Sequence, residues 1–331
     1  MERFALAAAV VLGFALTAAL CSLFVPLRRV LERREQNQQP VQPEQPRPAP
    51  LHAPLWGGLC AAAGTVAAVG VGWLAACVGQ PELLGSEGRL MTRLLTALAG
   101  SLAFGAVGLA EDLARMRSPA ALGLRRDVRL LLEALAAAFV LLLLQAAGCL
   151  PRGLDVPGAG YVLLGSAVPF LWAVLMVALA ECARIAERDE GTVCGAAFVA
   201  MLALMMAEAG LGVPGLAVLP AALAGALVAL LLWAFPPARL GVGCCGSLLA
   251  AGAIGCIPLS LDMTSLTVPL ALPFWAAGGL WAAQLLGAKR TGKPLRCWVK
   301  KHKMSPETVF LCSFALSAVG YVLALALLRW C

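Results

Sequence analysis

Ten runs of mostly apolar residues, at about 4–27, 55–78, 92–110, 128–148, 159–180, 193–210, 215–236, 243–261, 267–288 and 307–328, alternate with short polar segments along the chain. Each run approaches the ~20 residues that a helix needs to cross a bilayer. The pattern predicts an all-α polytopic membrane protein: one integral-membrane domain, 1–331, of ten transmembrane helices. The first run is longer than a signal-peptide core, and Leu20 precedes Cys21 where a cleavage site wants a small residue, so it reads as a retained helix.

Lys and Arg set the orientation, because short basic loops stay on the cytoplasmic side. With both termini outside, the segments 28–54, 111–129, 181–192, 237–242 and 289–306 lie inside and carry 20 of the 25 basic residues. Arg3, Arg89, Arg93, Arg152 and Arg329 remain outside. Any polar site is therefore expected on the cytoplasmic face.

The connectors differ in character. The first inner one starts as the basic helix continuation "RRVLERRE", then becomes a Pro- and Gln-rich cytoplasmic loop at about 35–54 that cannot hold a helix. It closes on "LHAPLWGG", where Gly57 and Gly58 fit either a plain helix-entry turn or a close backbone approach to a ligand. The outer segments, such as "GQPELLGSEG", are short and turn-like, and no repeat or soluble domain is visible.

Composition agrees with a membrane protein: 61% of residues are hydrophobic and 13% charged, and the mean hydropathy is +0.87. The net charge of +7 is accounted for by topology and by anionic inner-leaflet lipid, so no nucleic-acid partner is expected. The twelve cysteines are scattered through the apolar runs without a C-x-x-C pair or zinc spacing, and read as small core residues.

Four polar stretches on the inner side hold the candidate chemistry. In "GLAEDLARMRSPAALGLRRDVRLLLEALAA", Glu111 and Asp112 end the third run; adjacent acids beside basic residues suit a divalent cation or proton transfer, or simply a salt-bridged helix end. In "ECARIAERDEGT", Glu181, Arg184 and Glu187 recur every three residues, so a short helix would align them on roughly one face with Asp189 and Glu190 beyond, as a metal-and-phosphate site or as a charged loop. "FPPARLGVGCCGS" places Arg239 before a glycine-rich turn, Gly241, Gly243, Gly246 and Ser247, at a helix amino terminus, which fits an anion site or close helix packing. "KRTGKPLRCWVKKHKMSPE" gathers Arg296, Lys300 and His302 in a cationic patch suited to phosphate or to anionic lipid. No P-loop, Rossmann glycine fingerprint, H-E-x-x-H or G-x-S-x-G is present. A transporter of unrelated fold is the competing reading, although few ionisable residues, Glu133 and Glu208, fall within the runs.

The order of these stretches resembles the polyprenyl-phosphate N-acetylhexosamine-1-phosphate transferase superfamily, which includes phospho-N-acetylmuramoyl-pentapeptide transferases and bacterial UDP-GlcNAc:undecaprenyl-phosphate transferases. "APLWGG" is similar to the family's Pro-x-x-Gly-Gly at Pro54, Gly57 and Gly58. "GLAEDLARMR" is similar to its Gly-x-x-Asp-Asp, with Glu111 for the first Asp and Asp112 for the second. Its Asn-x-x-Asn-x-x-Asp-Gly-x-Asp-Gly falls on Glu181, Arg184, Glu187, Glu190 and Gly191. "FPPARLGVGCCGS" keeps Phe235, Pro236, Gly243, Gly246 and Ser247 but has Cys244 at the magnesium-binding Asp position. Arg296, Cys297 and Trp298 replace the family's histidine cluster.

The resemblance implies a membrane phosphoglycosyl transferase of the bacterial inner (cytoplasmic) membrane, serving peptidoglycan or another cell-envelope glycan. A polyprenyl phosphate would attack the β-phosphate of a UDP-amino sugar, releasing UMP. Asp112, Glu111 and Glu187 would be the catalytic residues, and Mg2+ would be held by Glu187, Glu190 and Asp112. Substrate phosphates would meet Arg184, Arg239, Arg296, Gly243, Gly246, Ser247 and Lys300. A homodimer is among the assemblies it allows. The replaced letters also fit a catalytically inactive paralogue, without Mg2+, that binds the lipid carrier, a nucleotide sugar or a partner enzyme.

Overall fold

The structure is a computed structural model and describes residues 2–38, 56–79, 88–117, 123–151, 153–156, 160–163, 165, 167–187, 191–213, 215–236, 238–287 and 305–329. All ten apolar runs are helical over most of their length. In chain order the helices are α1 (Glu2–Gln38), α2 (Gly57–Gly79), α3 (Gly88–Arg117), α4 (Arg126–Ala146), α5 (Ala167–Ala186), α6 (Thr192–Gly210), α7 (Val218–Ala234) and α8 (Gly243–Ser260). They are followed by the short α9 (Thr267–Leu270), by α10 (Leu272–Gly287) and by α11 (Pro306–Leu328). Among the described residues, seven helices are long and apolar enough to cross a membrane, or eight if the bent pair α9–α10 counts as one span. The chain is thus a helical, multi-pass membrane protein.

Three expectations from the sequence need correction. The run at 159–180 is not helical from its start: β2 (Gly160–Leu163) pairs antiparallel with β1 (Gly153–Val156), in the register Gly153 to Leu163 and Val156 to Gly160. Apolar content hid this hairpin, whereas the intervening Pro157 and Gly158 are turn formers. The run at 267–288 breaks at Ala271 with a bend of 63°, because Pro269 and Pro273 on either side each lack an amide donor. Finally, α3 and α5 run past the expected ends at 110 and 180 to Arg117 and Ala186, so Glu111 and Asp112, read at the inner end of the third run, lie inside α3, and Glu181 and Arg184, read as one face of a separate short helix, belong to α5 itself.

Helix α8 is the centre of the bundle, and every one of its residues is buried. It packs along α3 and also touches α2, α5 and α6; α1 lies against α2 and α7, α6 against α7 and α11, and α5 against α4 and α10. In lipid, helices associate through close packing rather than through the hydrophobic effect, and small residues permit it. The α3–α8 seam shows this directly: a Cβ on Gly252 would lie 3.1 Å from the Ser101 Cα, one on Gly100 would lie 2.6 Å from the Cys256 Sγ, and one on Gly108 would collide with the backbone of Cys244. Backbone cannot move aside as a side chain can. Gly108→Ala is therefore expected to destabilise the protein by about 1–3 kcal/mol. Gly70→Ala, whose Cβ meets nothing within 4 Å, is expected to be neutral or slightly stabilising. Thermal unfolding in detergent checks both.

Candidate functional site at the charged end of the bundle

The carboxyl ends of α3 and α5 and the amino ends of α2, α4 and α8 meet at one end of the bundle. The centre of that end is the first turn of α8. Gly243 opens it with a φ of 71°, a conformation that side-chain-bearing residues rarely adopt. The free amides that follow, those of Cys244 and Cys245, both donate to the carboxylate of Asp112, at 3.0 and 2.9 Å. A helix amino terminus attracts anions through its unpaired N–H groups and its dipole. Here the anion is the chain's own side chain, supplied by α3 and only 1% exposed. Ser247 Oγ donates to the Cys244 carbonyl at 3.1 Å and completes the turn.

Glycines bring the flanking backbones onto this turn. A Cβ on Gly58 would lie 2.7 Å from the Gly246 Cα, and one on Gly57 would lie 2.5 Å from the Gly241 carbonyl oxygen. Gly57 and Gly58 therefore serve close packing of α2 on the start of α8. Cys244 sits at the junction, fully buried, with α3 directly over it at Gly108.

Beside the cap lies a lattice of buried ion pairs across α3, α4 and α5. On α3, Arg115 Nη2 donates to Glu111 Oε1 at 2.7 Å, and Arg115 Nη1 lies 3.9 Å from Asp112 Oδ1. On α4, Arg129 Nε donates to Glu181 Oε1 of α5 at 2.8 Å; its Nη1 is 3.6 Å from Glu111 Oε1 and its Nε is 3.9 Å from Glu133 Oε1. Arg184, one turn beyond Glu181 on α5, donates to the second oxygen of Glu181. Glu111, Glu133 and Arg129 are all buried. Charges withdrawn from water this far persist only when paired, and the three guanidiniums, Arg115, Arg129 and Arg184, face the three glutamates Glu111, Glu133 and Glu181.

The site residues read from sequence are distributed as follows. Glu111, Asp112, Arg184, Gly243, Gly246, Ser247 and Cys244 converge here, all buried except Arg184, which is partly so. Glu187 follows the end of α5, partly buried, with its amide on the Ala183 carbonyl at 2.9 Å. Arg239 is exposed just beyond α7, its amide bonded to the Trp233 carbonyl at 2.8 Å. Glu190, Arg296 and Lys300 lie outside the described residues, as do Pro54, His302 and the Pro- and Gln-rich loop from 39 onward. Sequence reasoning passed over Arg115 and Arg129 as loop charges and Glu133 as a stray acid. The signal available was spacing: Glu111 to Arg115 and Arg129 to Glu133 are four apart, the separation that aligns charges on a helix. Glu208 is buried near the far end of α6 and takes no part in the lattice.

The donor chemistry can be tested against Mg2+, a hard ion that demands oxygen ligands. Both oxygens of Asp112 accept backbone N–H bonds, both oxygens of Glu181 face guanidiniums, and Cys244 offers only a buried thiol. Among the described residues, no three His, Cys, Asp or Glu side chains are grouped so as to hold a metal ion. The described residues do not fit the ion.

Residues 94–262, from α3 through the end of α8 and so including the whole lattice, match glycosyl transferase family 4. The chain belongs to that family. Its relatives include the phospho-N-acetylmuramoyl-pentapeptide-transferase of Mycobacterium tuberculosis (strain ATCC 25618 / H37Rv), 28% identical over 265 residues that cover 72% of each chain. The protein of the same name from Geobacillus kaustophilus is 26% identical over 271 residues, 81% of this chain and 79% of its own. The one from Desulforudis audaxviator is 32% identical over 170 residues, 48% and 50% of the two chains. Membership of glycosyl transferase family 4 agrees with the superfamily that the motifs pointed to, one of membrane phosphosugar transferases.

Proposed function

We propose that this protein is a carrier-binding paralogue of the transferases: it takes a polyprenyl phosphate and a UDP-amino sugar at its charged end but does not transfer the sugar phosphate. In this reading ten spans place both termini outside, and the charged end faces the cytoplasm in a bacterial inner membrane, where cell-envelope precursors are made. Needing no Mg2+, it would act by holding a substrate or presenting it to a partner enzyme.

The observation that carries the proposal is the engagement of Asp112. Transfer requires the lipid phosphate oxygen to bond to the β-phosphorus while the bond from that phosphorus to the bridging oxygen breaks, with the charge leaving on UMP. That charge must be offset at the leaving group. Asp112 accepts from two amides of α8, and Glu111 and Glu181 are paired with arginines, so each of the three is already engaged by the protein's own donors. Arg239, exposed at the rim, is placed to meet a substrate phosphate.

The test uses detergent-purified protein with undecaprenyl phosphate and either UDP-GlcNAc or UDP-MurNAc-pentapeptide, with UMP release and nucleotide binding followed together, with Mg2+ and with EDTA. Binding of a UDP-sugar without UMP release is expected. UMP release that requires Mg2+ would overturn the proposal and establish the working transferase; neither binding nor release would remove the substrate assignment.

A further inference from the structure

Helices α1 and α2 run antiparallel, and three contacts fix their register. A Cβ on Gly64 of α2 would lie 3.1 Å from the Thr17 amide nitrogen of α1 and would collide with the Thr17 hydroxyl. Toward the charged end, the ring of Phe24 stacks on that of Trp56, just before α2, with centroids 5.8 Å apart and planes within 7°. Between these two contacts stand Cys21, one turn beyond Thr17 on α1, and Cys60, one turn before Gly64 on α2, with their thiols hydrogen-bonded to each other. They are 0% and 1% exposed, and both are free thiols. The glycine at the crossing lets the two backbones approach closely, as a bond that holds two Cα atoms about 5.5–6 Å apart requires.

We propose that Cys21 and Cys60 are an oxidisable pair, which hydrogen peroxide entering through the membrane converts to a disulfide that clamps α1 to α2 beside the charged end. One sulfur attacks a peroxide oxygen, the O–O bond breaks, and a sulfenic acid forms as the first water leaves. The second sulfur attacks the sulfenic sulfur; the S–O bond breaks, the S–S bond forms, and the hydroxyl departs with the remaining thiol proton as a second water. Two thiols lose two electrons between them, and one peroxide is reduced to two waters. A buried thiol standing alone is inert. A pair in contact differs, because a sulfenic acid on either sulfur is consumed by its neighbour before it oxidises further. Helix α1 packs against α2 and α7 and is otherwise open, with Leu23, two residues from Cys21, 65% exposed, so a small uncharged oxidant has a single helix to pass. The clamp bears on the charged end, since Gly57 and Gly58 rest on the first turn of α8 and Cys60 lies near Cys245, whose amide donates to Asp112. The inference does not depend on whether the protein binds a UDP-sugar.

The test treats the full-length protein in lipid vesicles with hydrogen peroxide, blocks the remaining thiols with N-ethylmaleimide after denaturation, and maps the linkages by peptide mass spectrometry, with thermal unfolding followed in parallel. A Cys21–Cys60 disulfide is expected. The oxidised protein should melt about 5 °C or more higher, because the bond closes a long loop across 22–59, and dithiothreitol should reverse both changes. Cys312→Ser, which removes an exposed thiol, should leave both results as in wild type, and Cys60→Ser should abolish both. The wild-type mapping decides even where Cys60→Ser does not fold. Cys60 linked to Cys245 or Cys194 instead, sulfinic acid at either cysteine without a linkage, or no reaction of the folded wild type would overturn the proposal. So would a Cys21–Cys60 bond that leaves the melting temperature unchanged, since it would then clamp nothing.

Discussion

Asp112→Asn is expected to lower the melting temperature of the detergent-solubilised protein by about 5–10 °C, with or without any nucleotide sugar present. The carboxylate accepts from both the Cys244 and Cys245 amides. An asparagine has one acceptor oxygen, so its amino group would face the second N–H and leave that donor buried without a partner. A hydrogen bond to a charged group contributes about 1.5–3 kcal/mol, and an orphaned buried donor costs about 1–3 kcal/mol. Asp112→Ala strips both amides and should do more harm than Asn. A purely catalytic carboxylate would behave otherwise, since its isosteric amide removes turnover and leaves the fold intact. Asp127→Asn is the control. Asp127 and its partner Arg125, 3.7 Å away, are both more than four-fifths exposed, and such pairs contribute about 0–1 kcal/mol.

The second large effect is expected at Glu181. Glu181→Asn leaves Arg129 and Arg184 without the carboxylate they share, and three buried or half-buried guanidiniums then face Glu111, Glu133 and, at 3.9 Å from Arg115, an Asp112 already bonded to two amides. Breaking a buried pair by removing one partner costs about 3–5 kcal/mol, and the partial exposure of Glu181 places the expected loss toward about 2–3 kcal/mol. Glu181→Asn with Arg184→Asn restores the balance of charge. The double variant should be more stable than Glu181→Asn alone, with a coupling of about 1–2 kcal/mol in a double-mutant cycle of thermal unfolding. Additive losses would mean that the two side chains act independently.

The helices were legible because lipid imposes one rule on every span, and 20-residue apolar runs announce themselves. What the runs concealed was local. The hairpin at 153–163 is made of residues as apolar as a helix, and the break at Ala271 comes from two prolines that hydropathy counts as nearly neutral. The extensions carrying Glu111, Asp112, Glu181 and Arg184 fall outside the apolar runs because they are charged, so hydropathy ends α3 and α5 too early; pairing between neighbouring helices offsets the burial of those charges.

The site was half legible for a related reason. The glycine-rich turn at 241–247 was recognisable as an anion-binding helix start, and Asp112 was recognisable as a candidate acid. Nothing in the linear order said that one is the other's ligand. Likewise Cys244, at a position where a hard oxygen ligand was expected, is intelligible once the α3 backbone is seen to rest on it at Gly108. A carboxylate there would add a buried negative charge near Glu187, Glu111 and Asp112, whereas a thiol is small and uncharged.

The cap on α8 also sets an order of events during synthesis. The amide of Cys244 lies 132 residues after the carboxylate it meets. At about 5–20 residues per second, the ribosome delivers it on the order of ten seconds after α3 has been made. Over that interval α3 carries a carboxylate without its two amide donors, next to an Arg115 three residues further on. Insertion of the early helices and closure of the charged end are therefore separate steps in biogenesis, and the second must wait for the most deeply enclosed helix of the bundle to arrive.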